Sequence, residues 1–299
     1  MDELLNLLPE NTPVREYIAQ VSQTITDNKK GESWEKYHKI ITENEKIERC
    51  FLSVVVRTQG KRADGLREAM LCLNAQSCND FEVILIAHKA TKEQIRIVKE
   101  IIADQEEEFA KKIRFYELAE GSRAVPLNFG LAQACGEYAA FYDDDDILFA
   151  NWVENFKKIA GNQKGRILHA YAFSQTWTNL GEMGYRADSE PKDQYCMDVN
   201  ELNQLTVNRC PLMTLAFPTA ILQQFGFRFS EELDVMEDWD FFMRMSFLFG
   251  VSDARAATAT YRFWNNFETS ATLHNQESWD ATYKSVQCGF DTGSVIVPK

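Results

Sequence analysis

GSRAVPLNFGLAQACGEYAAFYDDDD occupies residues 121–146 and is the most informative stretch of the chain. After Gly121, the residues Leu127, Leu131 and Ala134 recur at helical spacing. Gly136 ends that pattern, and EYAAFY (137–142) follows as an apolar run of strand length that stops at Asp143-Asp144-Asp145-Asp146. A helix leading into a buried strand is one unit of an alternating α/β chain. Upstream the same alternation repeats. FLSVVV (51–56) is continuous, apolar and β-branched, as a strand covered on both faces needs to be. Leu66, Ala69, Met70 and Leu73 then line one face of a helix. FEVILIA (81–87) reads as a second strand, Thr91 to Lys112 as a second helix with Ile95, Val98 and Ile102 inward, and IRFYEL (113–118) as a third strand. EYAAFY is the fourth. The pattern predicts an α/β fold, a doubly wound and mainly parallel sheet with flanking helices. Such sheets bind ligands beyond the carboxyl ends of their strands, which is where the four aspartates stand.

Away from this centre the signals are less regular. Trp152, Phe156 and Ile159 mark a helix, and ILHAYAF (167–173) a strand. The polar stretch with Gly181, Gly184 and Pro191 reads as a long loop over 175–205. PLMTLAF (211–217) precedes a short helix ending near Gly226, and EDWDFFMRMSFLFG (237–250) is a helix with Trp239, Phe242, Met243 and Ser246 on one face. ATATYRFW (257–264) reads as a strand, and one more helix is expected around Trp279. Residues 1–50 are charged and rich in helix formers. Leu4, Leu5, Leu7 and Leu8, then Trp34, Tyr37 and Ile41, suggest a helical N-terminal prefix packed on the main body.

Composition narrows the function classes. A formal charge of −13 over 299 residues disfavours nucleic acid as a partner, because phosphate backbones need an excess of basic groups. The seven cysteines are odd in number and scattered, with no CxxC pair, which suits a reduced compartment and argues against a metal–thiolate site. No apolar run is long enough for a transmembrane segment, and the N-terminus lacks a basic start followed by an apolar stretch. A cytoplasmic location is the expectation.

The aspartate run carries the chemistry. Four adjacent carboxylates repel one another unless positive charge neutralises them, and a hard divalent ion such as Mg2+ or Mn2+ prefers oxygen ligands that it can share with substrate phosphates. Asp143 and Asp145 alternate as strand neighbours do. The plain alternative is a solvated acidic loop, but few of those directly terminate a buried strand. An Asp-x-Asp after an apolar strand also resembles the nucleophile motif of haloacid dehalogenase-like phosphatases. There a Thr or Val commonly follows, where this chain has Asp146, and the motif opens the first strand rather than closing the fourth.

Taken in order, SVVVRTQGKR, LREAMLCLNAQ, DFEVILIAH, GSRAVPLNFGLAQACGEYAAFYDDDD and EDWDFFMR resemble the inverting glycosyltransferases of family 2, which have the GT-A fold. The resemblance spans roughly 51–250, and it implies a nucleoside-diphosphate sugar as donor, a glycan or other hydroxyl as acceptor, and Mn2+ or Mg2+ as cofactor. On it, Asp143 and Asp145 hold the metal and the sugar-nucleotide diphosphate, with Asp144 and Asp146 close enough to touch ribose or the ion. Glu237 and Asp238 are the implied catalytic pair, with Asp238 as the base and Glu237 and Asp240 as the alternatives; Thr58 lies against the nucleotide, and Arg123 is near the base or diphosphate. Taken without the resemblance, acidic residues in a first helical turn are explained by the helix dipole. The family's Asp-Asp after the second strand is replaced here by Ala87-His88, so a uridine preference does not carry over, although imidazole can meet a base or ribose. His274 is a candidate to complete the metal sphere. The implied division is a prefix (1–50), a nucleotide-sugar-binding half (51–150), an acceptor-side half (151–265) and a tail (266–299). A non-catalytic nucleotide- or glycan-binding relative is the main alternative.

Overall fold

The four strands expected from the first half are β1 (Leu52–Thr58), β2 (Phe81–His88), β3 (Ile113–Leu118) and β4 (Tyr138–Asp143), and all pair in parallel in the order β3-β2-β1-β4. The computed structural model describes residues 39–40, 49–161, 163–266, 279–280, 282–284 and 286. The intervening helices are α1 (Ala63–Asn74), α2 (Lys92–Ala103), α3 (Glu107–Ala110) and α4 (Val125–Gln133). Thr91 to Lys112 is therefore two helices and not one. A capping box at Thr91 and Gln94 starts α2, and Asp104 closes it. Acidic residues oppose the negative pole of a helix end but suit a new first turn, where Glu107 and Glu108 sit in α3.

In the second half, the sheet continues through β9 (Leu215–Pro218), β6 (Ile167–Asn179), β10 (Val251–Trp264) and the two-residue β5 (Ile147–Leu148). Along this path β9 and β5 run against their neighbours, while β6 and β10 are parallel to each other. The segment 175–205 is not the long loop its polarity suggested. β6 runs on to Asn179, and β7 (Tyr185–Ala187) and β8 (Lys192–Tyr195) fold back on it in antiparallel pairing. Its strand residues are mostly exposed or only partly covered, so they carry polar side chains and leave no apolar run to mark the strands. The remaining helices are α5 (Trp152–Ala160), α6 (Glu201–Gln204), α7 (Thr219–Phe225) and α8 (Glu237–Phe249).

Two apolar layers sandwich the sheet. Val55, Ile84, Ile86, Ala139 and Phe141 face Leu127, Leu131, Leu222 and the aromatic face of α8. The alternate positions Val54, Val56, Val83, Leu85, Ala140 and Tyr142 face α1, α2 and α5. This two-sided burial is why β1 and β2 read as unbroken apolar runs. Gly130 lets α4 lie on β1, since a Cβ there would stand 2.3 Å from a methyl of Val55. Of the prefix, Lys39 and Ile40 are helical, and Ile40 packs on Ala220 and Ile221. Leu4, Leu5, Leu7, Leu8, Trp34, Tyr37 and Ile41 lie outside the described residues. Around Trp279 the described tail residues are helical, and Tyr283 stacks on Trp239 with centroids 5.5 Å apart. Among the described residues no helix is long and apolar enough to cross a membrane.

Candidate functional site

The parallel register sets Arg57 of β1 directly beside Asp143 of β4 at the carboxyl edge of the sheet. Arg57 grips Asp143 with two bonds, Nε to Oδ1 at 2.5 Å and Nη2 to Oδ2 at 2.8 Å. Its third arm, Nη1, donates to the Arg123 carbonyl at 3.0 Å and to Glu237 Oε1 at 3.1 Å. Beyond Asp143 the chain turns through Asp144, Asp145 and Asp146 into β5. Thr58 donates its hydroxyl to Asp144 at 2.5 Å, and its own Oγ1 accepts the Gly60 N–H at 2.9 Å. Arg62 spans two carboxylates, Asp144 at 2.5 Å and Asp145 at 2.8 Å. Asp146 is buried and accepts the backbone N–H of Arg262 at 2.8 Å. Gly65, in the first turn of α1, makes room for this turn: a Cβ there would lie 2.6 Å from the Asp144 carbonyl oxygen.

Charge in this cluster is unbalanced. Asp143, Asp144, Asp145, Asp146, Glu237, Asp238 and Glu68 face the guanidinium groups of Arg57, Arg62, Arg123 and Arg262. Burial and the neighbouring Asp145 push the Asp144 carboxyl above its ordinary value and Asp146 well above it. Asp143 goes the other way: burial pushes it up, but the guanidinium groups of Arg57, Arg123 and Arg62 together outweigh that and lower it. A hard divalent ion fits the oxygen donors and the missing positive charge. As arranged, each carboxylate is turned to a cation or an N–H of the protein, and among the described residues no three candidate ligands converge on one point. An ion held by Asp143 and Asp145 would have to take the place of Arg57 and Arg62 on them. His274 lies outside the described residues.

Opposite the strand end, α8 begins after Met236, whose left-handed φ of 61° bends the chain into the helix. Glu237 is 1% exposed and accepts Arg123 Nε at 2.7 Å as well as Arg57. Asp238 is partly exposed, and its Oδ1 accepts the Trp239 N–H at 2.8 Å. Burial and the adjacent Glu237 charge push the Asp238 carboxyl up to about 6. Trp239 anchors the turn in the core, donating its indole N–H to the Gln204 carbonyl at 2.7 Å. At the end of β2, His88 is buried with Nε2 3.1 Å from the Glu120 carbonyl, so that nitrogen carries the proton. Burial lowers its pKa, which leaves the ring neutral at pH 7 with Nδ1 as an acceptor.

The structure thus brings Thr58, Asp143, Asp144, Asp145 and Asp146 together with Arg123, Glu237 and Asp238, through a network whose other arginines, Arg57, Arg62 and Arg262, were not singled out from the sequence. Two signals were available for them. Arg57 ends a buried apolar strand, and Arg62 sits just before a helix start, where a cation opposes the dipole. Arg262 had no such signal within β10. Its buried guanidinium pairs with Glu68 at 2.5 Å and lies over the rings of Trp177, Trp264 and Tyr185 at 4.5, 5.4 and 5.7 Å.

A parallel α/β sheet with an acidic strand end, facing an acidic helix start, places the protein in the GT-A class of folds. The chain belongs to glycosyl transferase family 2, whose model matches residues 53–211. It is similar to the teichoic acid poly(glycerol phosphate) polymerase of Staphylococcus epidermidis, 24% identical over 170 residues, covering 56% of this chain and 22% of that protein. Crystal structures of S. aureus TarS 1–349 share the fold. The complex with UDP has a TM-score of 0.58 at 18% identity, covering 80% of this chain and 65% of the TarS 1–349 chain. The complex with UDP-GlcNAc has a TM-score of 0.57 at 18% identity, covering 80% and 71%. The chain spans about a fifth of the polymerase's length and under two thirds of the UDP-bound TarS chain.

Proposed function

We propose that the protein transfers a sugar from a nucleoside-diphosphate donor to an acceptor hydroxyl in glycan synthesis, with inversion at the anomeric carbon. The observation that carries this reading is Asp238: a carboxylate raised to about 6, at a helix start that Glu237 ties through Arg57 to the aspartate-bearing strand end. An acceptor hydroxyl is too weak an acid to ionise near neutral pH, so a carboxylate within hydrogen-bond reach must take its proton as it attacks. A base with a pKa just below the working pH is ionised yet still basic enough to do so. Asp143, Asp144 and Asp145 are engaged by Arg57, Thr58 and Arg62, which leaves Asp238 to face the acceptor.

On the donor side, Thr58 and Arg123 flank the nucleotide, and Arg57 and Arg62 hold the acidic turn in place. Asp143, Asp145 and Asp146, with His274, are the proposed ligands of Mn2+ or Mg2+, which when bound neutralises charge on the departing diphosphate. The UDP and UDP-GlcNAc complexes of TarS support a uridine nucleotide as the first donor to try. Transfer assays with a panel of nucleoside-diphosphate sugars test the reading. Asp238→Asn keeps the shape and removes the basicity, so donor affinity should persist while transfer falls roughly a hundredfold or more. A product of retained configuration, or near-normal turnover in Asp238→Asn, refutes it.

A further inference from the structure

Glu237 and Asp238 are adjacent in sequence, but the fold turns them to different partners. Asp238 is partly exposed, whereas Glu237 is 1% exposed and faces inward. Glu237 Oε1 accepts from Arg57 Nη1 at 3.1 Å and from Arg123 Nε at 2.7 Å. Arg57 meanwhile holds both oxygens of Asp143, and its Nη1 also donates to the Arg123 carbonyl. Residues far apart in sequence are thereby joined in one unbroken set: Asp143, Arg57, Glu237, Arg123. None of these bonds involves Asp238. A carboxylate this deeply buried cannot reach an acceptor oxygen, and its burial is tolerable because cations meet it.

We propose that Glu237 is a positioning residue of the donor side rather than part of the proton-transfer machinery. It holds Arg57 and Arg123 in register with Asp143, and so docks the base-bearing helix onto the strand end that receives the diphosphate. The inference rests on the donor reading above. Arg57 suits the task because its planar fork presents two N–H groups to Asp143 and a third to Glu237, whereas a lysine presents a single point charge.

Calorimetric titration with UDP in the presence of Mn2+ tests this. Glu237→Gln should weaken UDP at least tenfold, while Asp238→Asn stays within twofold of wild type. Arg57→Lys should reproduce the loss, and the double variant Arg57→Lys/Glu237→Gln should bind no more weakly than the worse single one, because both break the same link. Where transfer is still measurable, a second readout separates this role from a merely structural one. Glu237→Gln removes a charge that helps raise Asp238, so the acid limb of kcat/KM should move to lower pH. Arg57, Arg123, Tyr195 and Tyr261 also face Asp238 and remain in that variant. UDP affinity within twofold of wild type in either Glu237→Gln or Arg57→Lys, or losses that simply add, overturns the inference and leaves the donor reading standing. If wild type does not bind UDP, the same titrations are run with the nucleoside diphosphate it does bind, and failure of wild type to bind any of UDP, GDP, ADP, CDP and TDP overturns both.

Discussion

Replacing Asp238 by asparagine should remove activity and add stability, and both changes follow from one raised carboxyl. The group's ordinary value is 3.8, and in the folded protein burial and Glu237 push it up to about 6. A base must be ionised to act, so kcat/KM should rise about tenfold between pH 5 and pH 7 as the ionised fraction climbs from roughly a tenth to roughly nine tenths. The stability sign is opposite to that of an ion-paired aspartate. Between about pH 4 and pH 6 the folded protein holds a proton that the unfolded chain has released, so stability falls as pH rises through that window. At about 1.4 kcal/mol per pH unit, the cost of this carboxylate above pH 6 is at most about 3 kcal/mol. Asparagine carries no such cost. Asp238→Asn should therefore melt up to about 5 °C above wild type at pH 7.5, with the gap closing near pH 4. Paired thermal melts and initial-rate profiles over pH 4–8 supply both readouts. Equal melting temperatures at pH 7.5, or a wild-type profile flat between pH 5 and pH 7, would show that Asp238 is not the raised base described here.

Other perturbations address separate parts of the site. Asp145→Ala, or EDTA added to wild type, should abolish Mn2+-dependent donor binding while the fold survives; unchanged donor affinity in Asp145→Ala would remove the metal reading. Gly65→Ala places a methyl 2.6 Å from the Asp144 carbonyl. It should cost about 1–3 kcal/mol of stability and weaken the donor, which a melt and a UDP titration would detect. If His88 meets the nucleotide base through its unprotonated Nδ1, His88→Ala should narrow the difference in affinity between UDP and other nucleoside diphosphates. Identical ratios in wild type and variant would assign that histidine to the loop around Glu120 instead.

How much of this was legible beforehand depended on whether the information was local. The apolar runs at 51–56, 81–87 and 137–142 marked strands covered on both faces, because only such strands lack polar positions. The acidic run could be placed at a strand end for the same reason. The 175–205 segment failed this test: strand pairing with one face wet leaves a polar, glycine-bearing sequence that looks like loop. The break between α2 and α3 was missed because a dipole mismatch at Asp104 is weak against a continuing apolar period.

Periodicity along the chain determined the alternating α/β fold, its mainly parallel sheet and the strand-end position of the acidic run, since these follow from burial patterns along neighbouring residues, while the candidate base Asp238 came from the family resemblance. Tertiary structure alone decided what those carboxylates meet. Arg57 stands beside Asp143 through strand register, Glu237 reaches Arg57 across 180 positions, and Arg262 contacts Glu68 and Asp146 from the far end of the sheet. Ion pairs between distant segments leave no periodic trace in a single chain, because each partner's position depends on how strands and helices pack and not on its sequence neighbours.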